Sequence, residues 1–252
     1  MKKLKVIKSM ISIGDYEKFV DNILKLSYKE TSSYVCISNV HMNIEAYDDD
    51  KFLNIVNSAN ITTPDGMPIA KALKFLYGIS QDRVAGMDLT ADIMKKCEEK
   101  DMSIFVYGLT DDTLKIFEKK AKKEFTKLNI KTYSPPFRVL NNIEKDETIS
   151  MINRFNPDFV FVALGCPKQE KWMAEHKNKI NSCMIGLGGA LEVYAGIKDR
   201  APKWIQDYSL EWLYRLIQDP KRLWKRYLYT NNKFIILFII QSIKINFKEG
   251  NK

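Results

Sequence analysis

A few short stretches of this chain carry residue types that can do chemistry at fixed points. Thr63-Pro64-Asp65-Gly66-Met67-Pro68 sets one aspartate among two prolines and a glycine. Those neighbours restrict the backbone, so the Asp65 carboxylate can be held in one place and accept a proton. Taken alone it reads equally as a turn residue or helix cap. Arg83 opens the stretch Arg83-Val84-Ala85-Gly86-Met87-Asp88. A guanidinium there can clamp a diphosphate bidentately, or it can be a plain surface charge. Asn39 ends an apolar run, where its amide can meet a nucleotide or sugar, although a strand-end cap is the simpler reading. Gly165-Cys166-Pro167-Lys168-Gln169-Glu170 and Gly186-Leu187-Gly188-Gly189 each follow an apolar run that breaks at glycine. Two such breaks mark the carboxyl edge of a parallel sheet, where molecules carrying phosphates bind.

The elements that must position these residues follow from hydrophobic periodicity. Short apolar runs at 34–38, 59–62, 102–108, 130–133, 157–165 and 183–187 read as strands. Amphipathic patterns at 16–26, 51–58, 69–76, 88–96, 111–124, 147–155 and 171–176 read as helices, with Asp88 as a cap, and another helix starts near 190. Strand and helix alternate, and the strands are almost continuously apolar. That predicts an α/β fold, a Rossmann-like, mostly parallel sheet with helices on both faces, over residues 1–197. From Ala201 the pattern is helix only, so residues 198–252 form a helical appendage. One helix is expected over 202–217, and Asp219-Pro220 stops it and starts the next.

The charge is uneven. Residues 198–252 hold 12 Lys/Arg against 5 Asp/Glu, whereas the other 197 residues hold 28 against 26. A basic excess confined to the tail argues against a general nucleic-acid surface and for a local anionic partner. In the tail Arg222, Lys225 and Arg226 share a helix face beside Trp224 and Tyr227. The apolar run 234–240 is seven residues long, against the roughly 20 that a bilayer-spanning helix needs. A helix lying on an anionic membrane surface fits, and packing on the α/β part or on a second copy in a homo-oligomer stays open. Four cysteines, at 36, 97, 166 and 183, show no CxxC pairing, which predicts reduced, buried thiols in a cytoplasmic protein without a zinc site. The start Met-Lys-Lys-Leu-Lys has no apolar run of the signal-peptide kind after it. His41 and His176, with no ligand-spaced partners, read as structural.

These residues together resemble the WecG/TagA/CpsF glycosyltransferase family of bacterial cell-surface polysaccharide synthesis. The resemblance rests on 63–68, 83–88, Val106-Tyr107-Gly108, 165–170, 186–189, Arg200-Ala201-Pro202-Lys203-Trp204 and 211–226, in the expected order over nearly the whole chain. It implies an inverting transfer from a UDP-sugar, commonly UDP-N-acetylmannosamine, to N-acetylglucosamine on undecaprenyl diphosphate, as in wall teichoic acid linkage-unit assembly. It implies Asp65 as the base and Arg83 on the departing UDP diphosphate. Asn39 and Gln169 would contact the donor, Gly186, Gly188 and Gly189 would let backbone N–H groups approach it, and Glu192 would meet the ribose hydroxyls. Arg215, Arg222 and Arg226 would bind the acceptor diphosphate, with Trp224 and residues 234–240 on the inner face of the cell membrane.

Relatives often carry threonine where this chain has Ile37, so Ser38 is the candidate substitute hydroxyl. Asp48-Asp49-Asp50 satisfies the letters of a DxD motif but falls before a helix, and neither a metal nor a cofactor is expected. The donor could equally carry N-acetylmannosamine uronic acid or glucose. Two rivals remain: an NAD-dependent oxidoreductase and a non-catalytic membrane-binding module. Against the first, Gly186-x-Gly188-x-x-Leu191 lacks the third glycine of a dinucleotide fingerprint and lies late in the domain.

Overall fold

The computed structural model describes residues 1–28 and 32–249. The chain opens with an antiparallel hairpin, β1 (Lys3–Val6) and β2 (Ser9–Ser12), followed by α1 (Tyr16–Ser27), β3 (Ser33–Ser38), α2 (Val40–Asp48), α3 (Asp50–Asn57) and β4 (Ile61–Pro64). Next come α4 (Met67–Tyr77), α5 (Gly86–Glu99), β5 (Ser103–Gly108), α6 (Asp111–Glu124), β6 (Asn129–Tyr133) and α7 (Asn142–Phe155). The α/β part closes with β7 (Phe159–Ala163), α8 (Lys168–His176), β8 (Cys183–Gly186) and α9 (Ala190–Tyr194). The appendage is α10 (Lys203–Asp207), α11 (Glu211–Gln218) and α12 (Pro220–Glu249).

Six strands form one sheet in the order β4-β3-β8-β7-β5-β6, and every pairing is parallel. Strands buried on both faces must be apolar throughout, which is why their runs are continuous. Successive residues still face opposite sides. Val35, Ile37, Ile104, Val106, Phe159 and Phe161 pack with α1, α5 and α6 on one face. Tyr34, Cys36, Phe105, Tyr107, Val160 and Val162 pack with α2, α3, α7 and α8 on the other. Because the sheet is parallel, the carboxyl ends of β4, β3, β8 and β7 lie side by side on one edge, and the chemistry-bearing loops meet there.

Several elements depart from the expectation. The strand expected at 59–62 lies at Ile61–Pro64, so its last residue abuts Asp65. Pro64 is tolerated because β4 is the sheet's edge strand, and the hairpin covers that edge through Ser12 Oγ, which accepts from Thr62 N at 3.1 Å. The hairpin and α2 carry no clear periodic pattern and were not expected. Asp88 does not cap α5; Ala85 holds the N-cap position and Asp88 sits in the first turn. The helix expected over 202–217 is broken between α10 and α11, where Ser209 takes a left-handed backbone, φ 66°. Lys248, Glu249 and Lys252 of the basic tail lie outside the described side chains.

The appendage packs on the α/β part. Phe234 of α12 is buried with Val6, Ile11, Ile44, Ile69 and Leu73 from the hairpin, α2 and α4. Gln241 Oε1 accepts from Ile7 N at 2.6 Å, while its amide nitrogen donates to Lys5 O at 2.9 Å. The opposite face of α12 is bare: Ile235, Ile236, Ile239, Ile240 and Ile243 are exposed. Phe234→Ala should therefore lower unfolding free energy by about 3 kcal/mol in denaturant titrations. Ile236→Ala should stay within about 0.5 kcal/mol of the parent.

Candidate active site

Asp65 follows β4 directly, its N–H donating to Ser38 O at 2.8 Å and so tying it to the end of β3. Burial and then the Glu211 carboxylate push its pKa up to about 6, against the opposing pull of Arg215, Arg83 and the Asn39 side chain. Asn39 caps α2, as the simpler reading had it, by accepting from Met42 N at 3.1 Å. Its amide nitrogen is left to face Asp65. A carboxylate ionised at neutral pH but close to its titration point is suited to take a proton from a hydroxyl.

Arg83 is not a free surface charge. Its Nη1 donates to Glu211 Oε2 at 3.0 Å, and its Nη2 to Gln206 Oε1 at 2.5 Å and Asp88 Oδ2 at 3.4 Å. Arg215 Nη2 donates to the other oxygen of Glu211 at 2.6 Å. Although burial opposes its charge, Glu211, Asp65 and Tyr227 hold the pKa of Arg215 above its usual value. Arg200 Nη2 donates to Asp88 Oδ1 at 2.5 Å. Three arginines thus converge on two carboxylates, Glu211 and Asp88, and α10 and α11 are fastened over Asp65 by the network. Asp88, Arg200, Gln206 and Glu211 were not anticipated as site residues. Only the position of Glu211, four residues before Arg215 on one helix face, could have signalled its pairing.

The other tail arginines are placed differently. Arg222 turns back to Asp219 at 2.5 Å on the surface. Arg226 is half-buried beside Tyr227, its Nε without a hydrogen-bond partner among the described residues. It nears His41 at the start of α2, and burial together with the Arg226 charge pushes that imidazole down to about 4. His176 is buried and stacked on Trp172.

Gln169 is 4% exposed and held at both ends of its amide. Its Oε1 accepts from Gly165 N at 3.2 Å, and its Nε2 donates to Glu170 Oε1 at 2.7 Å. Gly186 and Gly188 leave it room, since a Cβ at either would stand 2.9 and 3.0 Å from the amide. These glycines therefore serve the close approach of Gln169 as well as any ligand. Gly189 precedes α9 and faces Glu192, whose Oε2 accepts from Lys198 at 2.5 Å. Ile37 packs in the core, and Ser38, on the opposite face of β3, accepts from Asn43 at 3.1 Å. By strand alternation Ser38 does not stand in for a hydroxyl at position 37. Asp48, Asp49 and Asp50 pair with Lys233, Lys171 and Lys8 respectively.

Residues 4–248 match the glycosyl transferase WecG/TagA/CpsF family. The chain belongs to that family. It is similar to the N-acetylglucosaminyldiphosphoundecaprenol N-acetyl-beta-D-mannosaminyltransferase of Bacillus subtilis (strain 168), 34% identical over 215 residues, 83% of this chain and 81% of the relative. The protein of the same name from Bacillus spizizenii is 30% identical over 220 residues, 83% and 84% of the two chains. That from Staphylococcus aureus (strain MW2) is 27% identical over 209 residues, 82% and 81%. WecG/TagA/CpsF membership makes the chain a glycosyltransferase, against the oxidoreductase and binding-module readings.

Glu170 itself is fully buried, its Oε2 without a hydrogen-bond partner among the described residues, and burial pushes its pKa up to about 7, only partly offset by the Gln169 hydrogen bond. Its folded value lies above the ordinary 4.5. The stability it allows is therefore present below about 4.5 and falls as pH rises through 7. Glu170→Gln removes that charge. Between pH 5 and pH 8 the parent should lose on the order of 3 kcal/mol of unfolding free energy that the variant keeps, measured by denaturant titration at both values.

Proposed function

We propose that this enzyme transfers N-acetylmannosamine from UDP-N-acetylmannosamine to the N-acetylglucosamine of a diphospho-undecaprenol lipid, as in the linkage unit of wall teichoic acid. The observation that carries the reading is a carboxylate, Asp65, with its pKa raised to about 6 and set beside two arginines, the largely buried Arg83 and the half-exposed Arg215, in a chain of this family. Asp65 takes the proton from the acceptor hydroxyl as that oxygen attacks the anomeric carbon from the face opposite UDP. The bond to the UDP oxygen breaks in the same displacement, inverting the centre. Arg83 meets the negative charge that grows on the departing diphosphate, and Arg215 the diphosphate of the lipid. Arginine side chains supply the positive charge in this reading. Gln169 and Asn39 line the donor side at the ends of β7 and β3, with Gly186, Gly188, Gly189 and Glu192 at the end of β8.

The acceptor's long lipid places the reaction at a membrane surface. Among the described residues no helix is long and apolar enough to cross one. The exposed isoleucines of α12, with Trp224 and Lys225 at its start, suit a helix lying on an anionic bilayer from the cytoplasmic side.

Three outcomes test this reading. Asp65→Asn should lower kcat by about a thousandfold with the fold unchanged, in the range that loss of a general base costs. Because the base must be ionised, kcat/KM of the parent should fall tenfold per pH unit below about 6 and level off above it. In a panel of UDP-sugars with a lipid-diphosphate N-acetylglucosamine analogue, UDP-N-acetylmannosamine should give the fastest transfer. A faster reaction with the uronic acid or with UDP-glucose would reassign the donor.

A further inference from the structure

Glu211 touches both arginines of the site, yet the reaction derived above gives it no step. One oxygen accepts from Arg83 at 3.0 Å and the other from Arg215 at 2.6 Å. The glutamate side chain is 19% exposed and that of Arg83 13%, so water screens that pair poorly, whereas Arg215, 43% exposed, is screened in part. Two guanidinium groups converging on a two-oxygen anion repeat the geometry in which arginines hold a phosphate group. The two come from different parts of the fold: Arg83 from the segment before α5, Arg215 from the second turn of α11.

We propose that Glu211 is a built-in stand-in for a substrate diphosphate, holding Arg83 and Arg215 in place until the diphosphate displaces it. The inference rests on the assignment of those arginines to diphosphates. Without Glu211 two like charges would face each other across a partly screened gap, and α11 would lose its tie to Arg83. With it, the arginines are already charged and oriented, and an arriving diphosphate competes with an anion tethered beside them. The exchange is local to α11, because Glu211 is the first residue of that helix. It also preserves the base: Glu211 raises the pKa of Asp65, and a diphosphate taking its place carries at least as much negative charge. Substrate binding then keeps Asp65 basic rather than weakening it.

The test is the sign of an affinity change. The full chain and its Glu211→Gln variant are titrated calorimetrically with UDP and, separately, with a short-chain polyprenyl diphosphate. Removing the competing charge should tighten binding of at least one by about tenfold, the size expected of a partly screened charge at close range. A gain confined to UDP points to the donor diphosphate as the displacing anion, and a gain confined to the prenyl diphosphate points to the acceptor. At saturating substrate, kcat of the variant should fall, because the arginines are no longer pre-set. A merely structural Glu211 predicts weaker binding of both ligands, and equal or weaker binding in a folded variant overturns the proposal. Should Glu211→Gln fail to fold, Glu211→Asp keeps the charge but cannot span both arginines. It should bind more tightly than the parent by a smaller factor, and no gain there overturns the proposal too. A parent that binds neither ligand overturns the diphosphate assignments along with it, whereas a parent that binds without any gain in the variants overturns the stand-in alone.

Discussion

The shared carboxylate of Glu211 is the constraint on which this site depends. It joins an arginine of the α/β part to an arginine of the helical appendage, each through its own oxygen. That fork fixes α11 above the carboxyl edge of the sheet, and so sets how much solvent and which charges Asp65 meets. Neither half of the chain makes the environment alone. The sheet supplies Asp65, Asn39 and Arg83, and the appendage supplies Glu211, Arg215, Gln206 and Arg200.

Buried ion networks are costly to desolvate and seldom explain stability by themselves. Here the network has a different consequence, because each of its arginines is already paired with a carboxylate of the chain. The proposed reaction brings together two diphosphates and needs positive charge at close quarters, and unpaired arginines would be hard to keep in a partly buried crevice. Pairing them with carboxylates solves that problem and leaves Asp65 poised near its titration point. The proposed donor side is positioned with the same tightness. Gln169 is locked by Gly165 and Glu170 and seated against glycines, so one amide is held rigidly where four strand ends converge.

Much of the fold was legible from hydrophobic patterning because the sheet is buried on both faces. Apolar runs ending in glycine or asparagine gave the four inner strands, whereas the edge strands β4, displaced by two residues, and β6 rested on shorter, mixed runs that end before Pro64 and Pro135. The hairpin was missed because its four-residue strands are only half apolar, and Val6 and Ile11 are buried by residues of α2, α4 and α12 far away in sequence. The break between α10 and α11 was missed because Ser209 is not a residue that announces a left-handed turn. Asp65 and Arg83 were legible through rigid neighbours and a family pattern. Glu211 was not, since a glutamate four residues before an arginine reads as an ordinary helix-surface pair. Only the tertiary arrival of Arg83 turns it into a fork. Arg222, assigned to the acceptor diphosphate on the tail's charge and the family resemblance, pairs with Asp219 three residues earlier.

The most direct measurement is the titration of the Asp65 side-chain carboxyl by carbon-detected NMR, in the full chain and in an Arg215→Ala variant. The account predicts a midpoint near 6 in the parent. It predicts a higher midpoint in the variant, because the appendage's arginine is one of the groups pulling it down. A midpoint near the ordinary aspartate value of 3.8 in both proteins would contradict a site assembled jointly by the sheet and the appendage.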